Sequence, residues 1–157
     1  NIWRAFPFFM VMLVAGLLSA CASGRVAPSL DADAKLFRAP ADSACIYVVP
    51  SSDIAAVTVT LDGRKVGTLE MENYLRLEVT PGRHMLSVTR ATLVPAVFRE
   101  ARNDVTLDAE AGHCYFLRTA WTDIGENWRE YRVYWETMPE DEGRQAVNVR
   151  WLMLPAK

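Results

Sequence analysis

The segment Val57-Thr58-Val59-Thr60-Leu61-Asp62-Gly63 constrains this chain most. Valine and leucine alternate with threonine, so an extended strand here has one apolar and one polar face. Asp-Gly follows at once, and both central residues of a type I′ turn take positive φ, which these two types tolerate. Arg64 to Leu69 is therefore the returning strand. The same grammar recurs on either side. Cys45 to Val49 is apolar on both faces and ends at Pro50, as a buried strand would. Tyr74 to Val79 turns Leu75, Leu77 and Val79 inward and Arg76 and Glu78 outward. Pro81-Gly82 makes a turn, with Pro fixing φ and Gly supplying the left-handed position. Arg83 to Thr89 continues with Leu86 and Val88 inside. Arg90 to Arg102 is an irregular crossover around Pro95, and Asp104 to Leu107 alternates again. Ala111-Gly112 turns into His113 to Arg118, apolar on both faces and so central. Tyr131 to Glu136 is the last strand. Met138-Pro139-Glu140-Asp141-Glu142 starts a helix, since Pro suits the first turn and acids there complement the dipole. Gly143 keeps that helix short. The expectation is a mainly all-β fold, an antiparallel β-sandwich of about 6–7 short strands with one short C-terminal helix.

Before the strands the sequence has a different character. Arg4 is the only charge in residues 1–20, and Ala5 to Leu18 is an unbroken apolar run. At about 1.5 Å per residue that run reaches about 21 Å, short of a hydrocarbon core of about 30 Å. A signal peptide fits better than a permanent membrane span. Leu18-Ser19-Ala20-Cys21 resembles the bacterial lipobox: a branched apolar residue, two small residues that fit a peptidase cleft, then a cysteine whose sulfur takes a diacylglyceryl group. Residues 1–20 are thus expected to be a lipoprotein signal peptide, with lipid attached at Cys21. The first residue is Asn, and the leader is expected to start upstream of it. By resemblance to Gram-negative sorting rules, Ala22 in place of aspartate favours the outer membrane, with the domain facing the periplasm. Residues 21–43, rich in Ala, Ser, Asp and Pro, read as a lipidated N-terminus and flexible tether reaching roughly 25 Å, on which Leu36 and Phe37 could dock. Residues 44–157 form the sandwich domain.

Composition sets outer limits. A chain of 157 residues allows one ordinary domain with short extensions. A net charge of −2 gives no basic surface for phosphate, so nucleic acid is not an expected partner.

Ile46-Tyr47-Val48, Leu61-Asp62-Gly63 with Val66-Gly67, Tyr74-Leu75, Val79-Thr80-Pro81-Gly82-Arg83-His84 and Ala111-Gly112-His113-Cys114-Tyr115-Phe116-Leu117-Arg118 follow one another in order. This succession resembles a bacterial lipoprotein family that carries a domain of unknown function, similar to the PEGA-like surface-layer β-sandwich module. The resemblance spans about Phe37 to Trp151. It rests on turns and buried strand residues, so it implies a fold and supplies no catalytic set. Where arginine often follows the first strand in that family this chain has Pro50, and no role is carried to that position.

The residues offer little chemistry. After lipidation Cys45 and Cys114 remain, in an oxidising compartment where disulfides persist. They either bridge neighbouring strands or stay as two buried thiols. His113 adjoins Cys114, but strand neighbours point to opposite faces, so the pair makes neither a nucleophile with its base nor a shared metal site. With only His84 and His113 present, no metal is expected, and no cofactor. His84 reads as a half-buried strand-end residue. No Gly-x-Ser-x-Gly occurs, and the glycines are scattered turn residues. Asp108 and Glu110, two apart, could share a proton on one strand face, although solvated strand-end acids look the same in sequence. No catalytic residue is expected.

The segment 119–136 is less plain. Trp121, Trp128, Tyr131, Tyr134 and Trp135 are interleaved with Asp123, Glu126, Arg129, Glu130 and Arg132. Aromatic and arginine side chains dominate interface hot spots, and glycans stack on such rings. Tyr131, Val133 and Trp135 read as a core face, which leaves Trp128 and Tyr134 as the partner-binding residues. The expected function is a membrane-anchored, non-enzymatic binding module for an envelope protein or glycan. A structural envelope lipoprotein without a specific ligand and an envelope hydrolase using carboxylates are the alternatives.

Overall fold

A computed structural model of the chain describes residues 26–51, 56–90, 103–123 and 131–156. The leader over 1–20, Cys21, most of the crossover at 90–102, and Trp128 lie outside the described residues. Along the chain come α1 (Pro28–Ala34), β1 (Ala44–Pro50), β2 (Val57–Leu61), β3 (Arg64–Leu69), β4 (Asn73–Val79), β5 (Gly82–Arg90), β6 (Asn103–Ala109), β7 (Cys114–Asp123), β8 (Tyr131–Thr137), α2 (Glu140–Asn148) and β9 (Trp151–Met153). The fold is mainly β, a sandwich with a short C-terminal helix.

The hairpin forms where alternation placed it: Asp62 and Gly63 have φ of 50° and 82°, and Leu61 faces Arg64 across the turn. One sheet has the order β8-β7-β1-β4-β9 and the other β3-β2-β5-β6. The sandwich is mixed, which corrects the wholly antiparallel expectation. β1 runs parallel to β7, from Cys45 opposite Cys114 to Pro50 opposite Thr119, and β4 runs parallel to β9. A parallel pair needs a long crossover, and here the second sheet supplies much of it, because the chain leaves β1, builds β2 to β6 and then returns to β7. The described strands number nine, against the six or seven expected: eight coincide with segments read as strands, and β9, three residues long, is too short to show a pattern.

Two cores sit on the two faces of the larger sheet. Ala44, Ile46 and Val48 of β1 point between the sheets and meet Val57, Val59, Leu86 and Val88 of the facing sheet. Cys45, Tyr47 and Val49 point the other way, into a second core with Tyr74, Phe116, Ala34 and Val147. A strand apolar on both faces requires cover on both. α1, Phe37 and α2 provide it here.

This revises the tether. The segment 21–43 was expected to be flexible, but from Pro28 it is a helix laid on the sheet, with Asp31 and Ala34 buried. Phe37 packs in the same layer, its ring tilted and 5.3 Å from that of Tyr47 and 5.9 Å from that of Phe116, while Leu36 is exposed.

Gly143 weakens α2 by propensity but lets it come close to the sheet. A methyl group added there would lie 2.5 Å from Phe116 Cβ. On an exposed helix Gly→Ala stabilises by about 1 kcal/mol. In this position Gly143→Ala is expected to destabilise, by about 2 kcal/mol, because overpacking displaces the helix or Phe116. Urea unfolding of the variant checks the sign.

Candidate functional site: the clasped face of the larger sheet

Cys45 and Cys114 face each other in register on the helix-covered side, with Cα atoms 4.5 Å apart, and their sulfurs are bonded. Cys114 Sγ lies 3.6 Å from the Phe37 carbonyl oxygen, so the bridge sits beneath the segment that follows α1. His113 is exposed and turned away, with Nδ1 3.1 Å from the Ala111 carbonyl oxygen. No thiol–imidazole pair exists at this position.

Asp31 organises the rest of the face. Its Oδ1 accepts hydrogen bonds from the Tyr74 hydroxyl at 3.0 Å and from the Leu152 backbone N–H at 2.8 Å. Its Oδ2 accepts from the Lys35 ammonium at 2.7 Å, one helical turn along. One carboxylate thus joins α1 to β4 and β9. Burial pushes the Asp31 carboxyl upward, but hydrogen bonds from Lys35, Leu152 and Tyr74 outweigh it and hold the group below the ordinary value. Burial and the neighbouring carboxylate push the Tyr74 phenol strongly upward, so it stays a donor.

Other bonds extend the clasp. Lys35 also donates to the Arg150 carbonyl at 2.7 Å, and Tyr47 donates to the Ala34 carbonyl at 2.5 Å. Arg76 donates to the Tyr47 hydroxyl at 3.2 Å and to the Arg38 carbonyl at 3.0 Å. The Arg150 guanidinium collects the carbonyls of Met71, Ala146 and Pro50 at 3.1, 2.6 and 3.2 Å. Apart from the local Arg150–Ala146 bond, each ends on a segment distant in sequence, so the polar groups fix the register of α1, β9 and the C-terminal end of α2 on one sheet. Sequence reasoning missed this set. The available signal was Pro28 at a helix start followed by Asp31 and Lys35 at i and i+4.

Two shallow grooves flank the clasp. One, of about 440 Å³, is lined by Val26, Glu72, Asn73 and residues 151–154. The other, of about 230 Å³, is lined by Leu30, Asp33, Ala34, Arg76, Leu152, Leu154 and Pro155. They share Leu152 and Leu154.

The remaining sequence candidates are spread over the sandwich. Asp108 is exposed and paired with Arg83 at 3.0 Å, and Glu110 is exposed in the turn before β7, 3.9 Å from His113. No cleft among the described residues encloses the two carboxylates together. His84 has acceptors at both ring nitrogens, Asp62 Oδ2 at 2.7 Å and the Thr80 carbonyl at 2.8 Å. Asp62 above all raises the His84 pKa, and His84 lowers that of Asp62. The pair pins the hairpin to the neighbouring turn, and its contribution fades as pH rises through the raised imidazole value or falls through the lowered carboxyl one. Val133 is buried in the inner core, and Trp121 and Trp135 pack against it. Trp135 Nε1 donates to the Asn103 carbonyl at 3.2 Å, closing one side of the sandwich. Tyr134 lies on the opposite face of the edge strand β8, half-buried, and is not part of the Asp31 clasp.

Residues 40–128 match the model of the family described as "Protein of unknown function (DUF2846)", more than half of the chain. The chain belongs to the DUF2846 family. The matched DUF2846 span takes in β1 to β7 and the Cys45–Cys114 bridge, while α1, β8, α2 and β9 lie outside it. No curated protein and no solved structure matches the chain. Among the described residues no helix is long and apolar enough to cross a membrane, and no group of three His, Cys, Asp or Glu could hold a metal ion.

Proposed function

We propose that this DUF2846 protein is a bacterial envelope lipoprotein, anchored through lipid on Cys21 and facing the periplasm from the outer membrane. Its PEGA-like sandwich acts as a non-enzymatic binding module for an envelope protein or glycan. The observation that carries this reading is the Cys45–Cys114 bond at the centre of the larger sheet. Disulfides persist in exported proteins and are rare where thiols are kept reduced. A leader ending in a lipobox delivers a chain to such a compartment, so two independent features of the cysteines agree. The binding surface assigned to the module is the segment around β8, where Tyr134 is half-buried opposite the core face, together with Trp128.

The anchor and the surface are tested separately in cells of a Gram-negative host. Cys21→Ser is expected to abolish incorporation of labelled palmitate and to leave uncleaved precursor; continued labelling would remove the anchor. For the surface, the lipidated protein is cross-linked in cells with and without Trp128→Ala and Tyr134→Ala together. Cross-linked species are expected to fall in the double variant, and an unchanged set would discard these two residues as the contact.

A further inference from the structure

Seven large apolar side chains are exposed among the described residues; Leu36 and Met85 line neither groove, but three of the others gather in one place. Among the described residues Leu30 is 49 % exposed, Trp151 46 % and Leu154 57 %, and all three line the two grooves beside α1 and β9. Met71, 53 % exposed, and Val149, 79 % exposed, flank them: Arg150 follows Val149 in the chain and donates to the Met71 carbonyl. On the smaller sheet Thr58, Thr60 and Thr68 take the solvent side, with Met85 of β5 an exposed exception. An apolar cluster of this kind on a folded domain marks something that covers it.

The course of the chain says what that is. Val26 lines the larger groove. Five peptide steps separate it from Cys21, a span of at most about 18 Å. Lipid on Cys21 therefore keeps the edge of this face within about 18 Å of the anchored residue. The Asp31 clasp fixes α1 on the sheet, so the leash starts from a fixed point beside the grooves. Trp151 suits the boundary between headgroups and acyl chains, having an apolar ring and a polar N–H. The Lys35 ammonium, bonded to Asp31 and the Arg150 carbonyl, lies 5.6 Å from the centroid of that ring and ties it to the clasp.

We propose that the face formed by Leu30, Trp151 and Leu154 lies on the phospholipid bilayer, with these side chains in the headgroup–acyl boundary. The proposal rests on the lipid-anchor reading and adds to it a defined membrane-facing side of the domain. The β8 segment then remains free to meet a partner.

The test uses the full lipidated protein purified in detergent and reconstituted into vesicles of phosphatidylethanolamine and phosphatidylglycerol. Leu154→Cys or, as control, Lys65→Cys on the exposed part of β3 carries an environment-sensitive fluorophore. Mass spectrometry of the same samples reads the acyl chains on Cys21. The expected result is a blue-shifted emission at position 154, with quenching by doxyl-labelled acyl chains severalfold greater than at position 65. Adding Leu30→Glu and Trp151→Glu to the Leu154 probe protein should return its emission toward that of the control. An aqueous probe at 154 with acylated Cys21 overturns the membrane face and leaves the anchor standing. An unacylated Cys21 overturns both. A blue shift that grows with protein density and resists lipid quenchers assigns the face to a second copy, and also overturns the proposal.

Discussion

Replacing Cys45 and Cys114 together with alanine lowers the stability of the domain by about 4 kcal/mol. The bridge closes a loop of 69 residues, and the chain-entropy estimate for cross-linking such a loop in the unfolded state is about 4 kcal/mol at 25 °C. Two features keep native strain from eroding that value. The Cα atoms already face each other in a regular parallel ladder, and both residues sit in a buried layer. In a melting experiment the double variant should lose on the order of 15 °C. Wild-type protein treated with a reductant able to reach the bridge should melt close to the variant. A loss below about 1 kcal/mol would mean that the unfolded chain gains little freedom when the link is cut.

Asp31→Ala is the second large effect, expected at about 3 kcal/mol. The substitution leaves the Tyr74 hydroxyl and the Leu152 N–H without their acceptor in a buried layer and strands Lys35 beside them. Asp31→Asn is expected to cost much less. Tyr74 and Leu152 both bond to Oδ1, which an amide oxygen replaces, and only the Lys35 contact through Oδ2 is lost. The pH dependence follows from the direction of the shift. A carboxyl held below its unfolded value contributes stability that is complete above about pH 4 and is lost as pH falls through the folded value. Wild type should therefore lose its advantage over Asp31→Asn on acidification, and urea unfolding at pH 3 and pH 7 measures the change. If the two proteins keep a constant gap, the carboxylate is not what holds α1.

The inner core was legible in the sequence, and the clasp was not, for a physical reason. Alternation reports one face of a strand, and Val57 to Leu61, Tyr74 to Val79 and Arg83 to Thr89 carried it plainly. The double-sided apolar runs at Cys45 and His113 also revealed that β1 and β7 are central. What covers their second face could not be read from them. α1 reads Pro-Ser-Leu-Asp-Ala-Asp-Ala, without an apolar period, because it is held by a buried carboxylate whose partners lie 43 and 121 residues away. The parallel pairings were hidden in the same way, since no turn joins β1 to β7 or β4 to β9. Gly143 was read by its propensity, while its position is set by contact with Phe116. Of the cysteines, the strand reading placed both in central strands, and only the register could show that they face each other. Of the two residues chosen for partner contact, Tyr134 is half-buried on the face of β8 opposite Val133, as alternation requires, and Trp128 lies outside the described residues.

The order in which α1, Phe37 and the Cys45 bridge follow one another has a mechanical consequence. A tug on the N-terminal end reaches α1 first, where noncovalent bonds at Asp31 and Tyr47 resist it. If they yield, the chain pays out only as far as Cys45, because the covalent link transfers the load directly to β7. The slack from Val26 to that stop is about 65 Å at full extension. Under tension from its N-terminal side the domain can therefore lengthen while the sandwich beyond Cys45 keeps its shape.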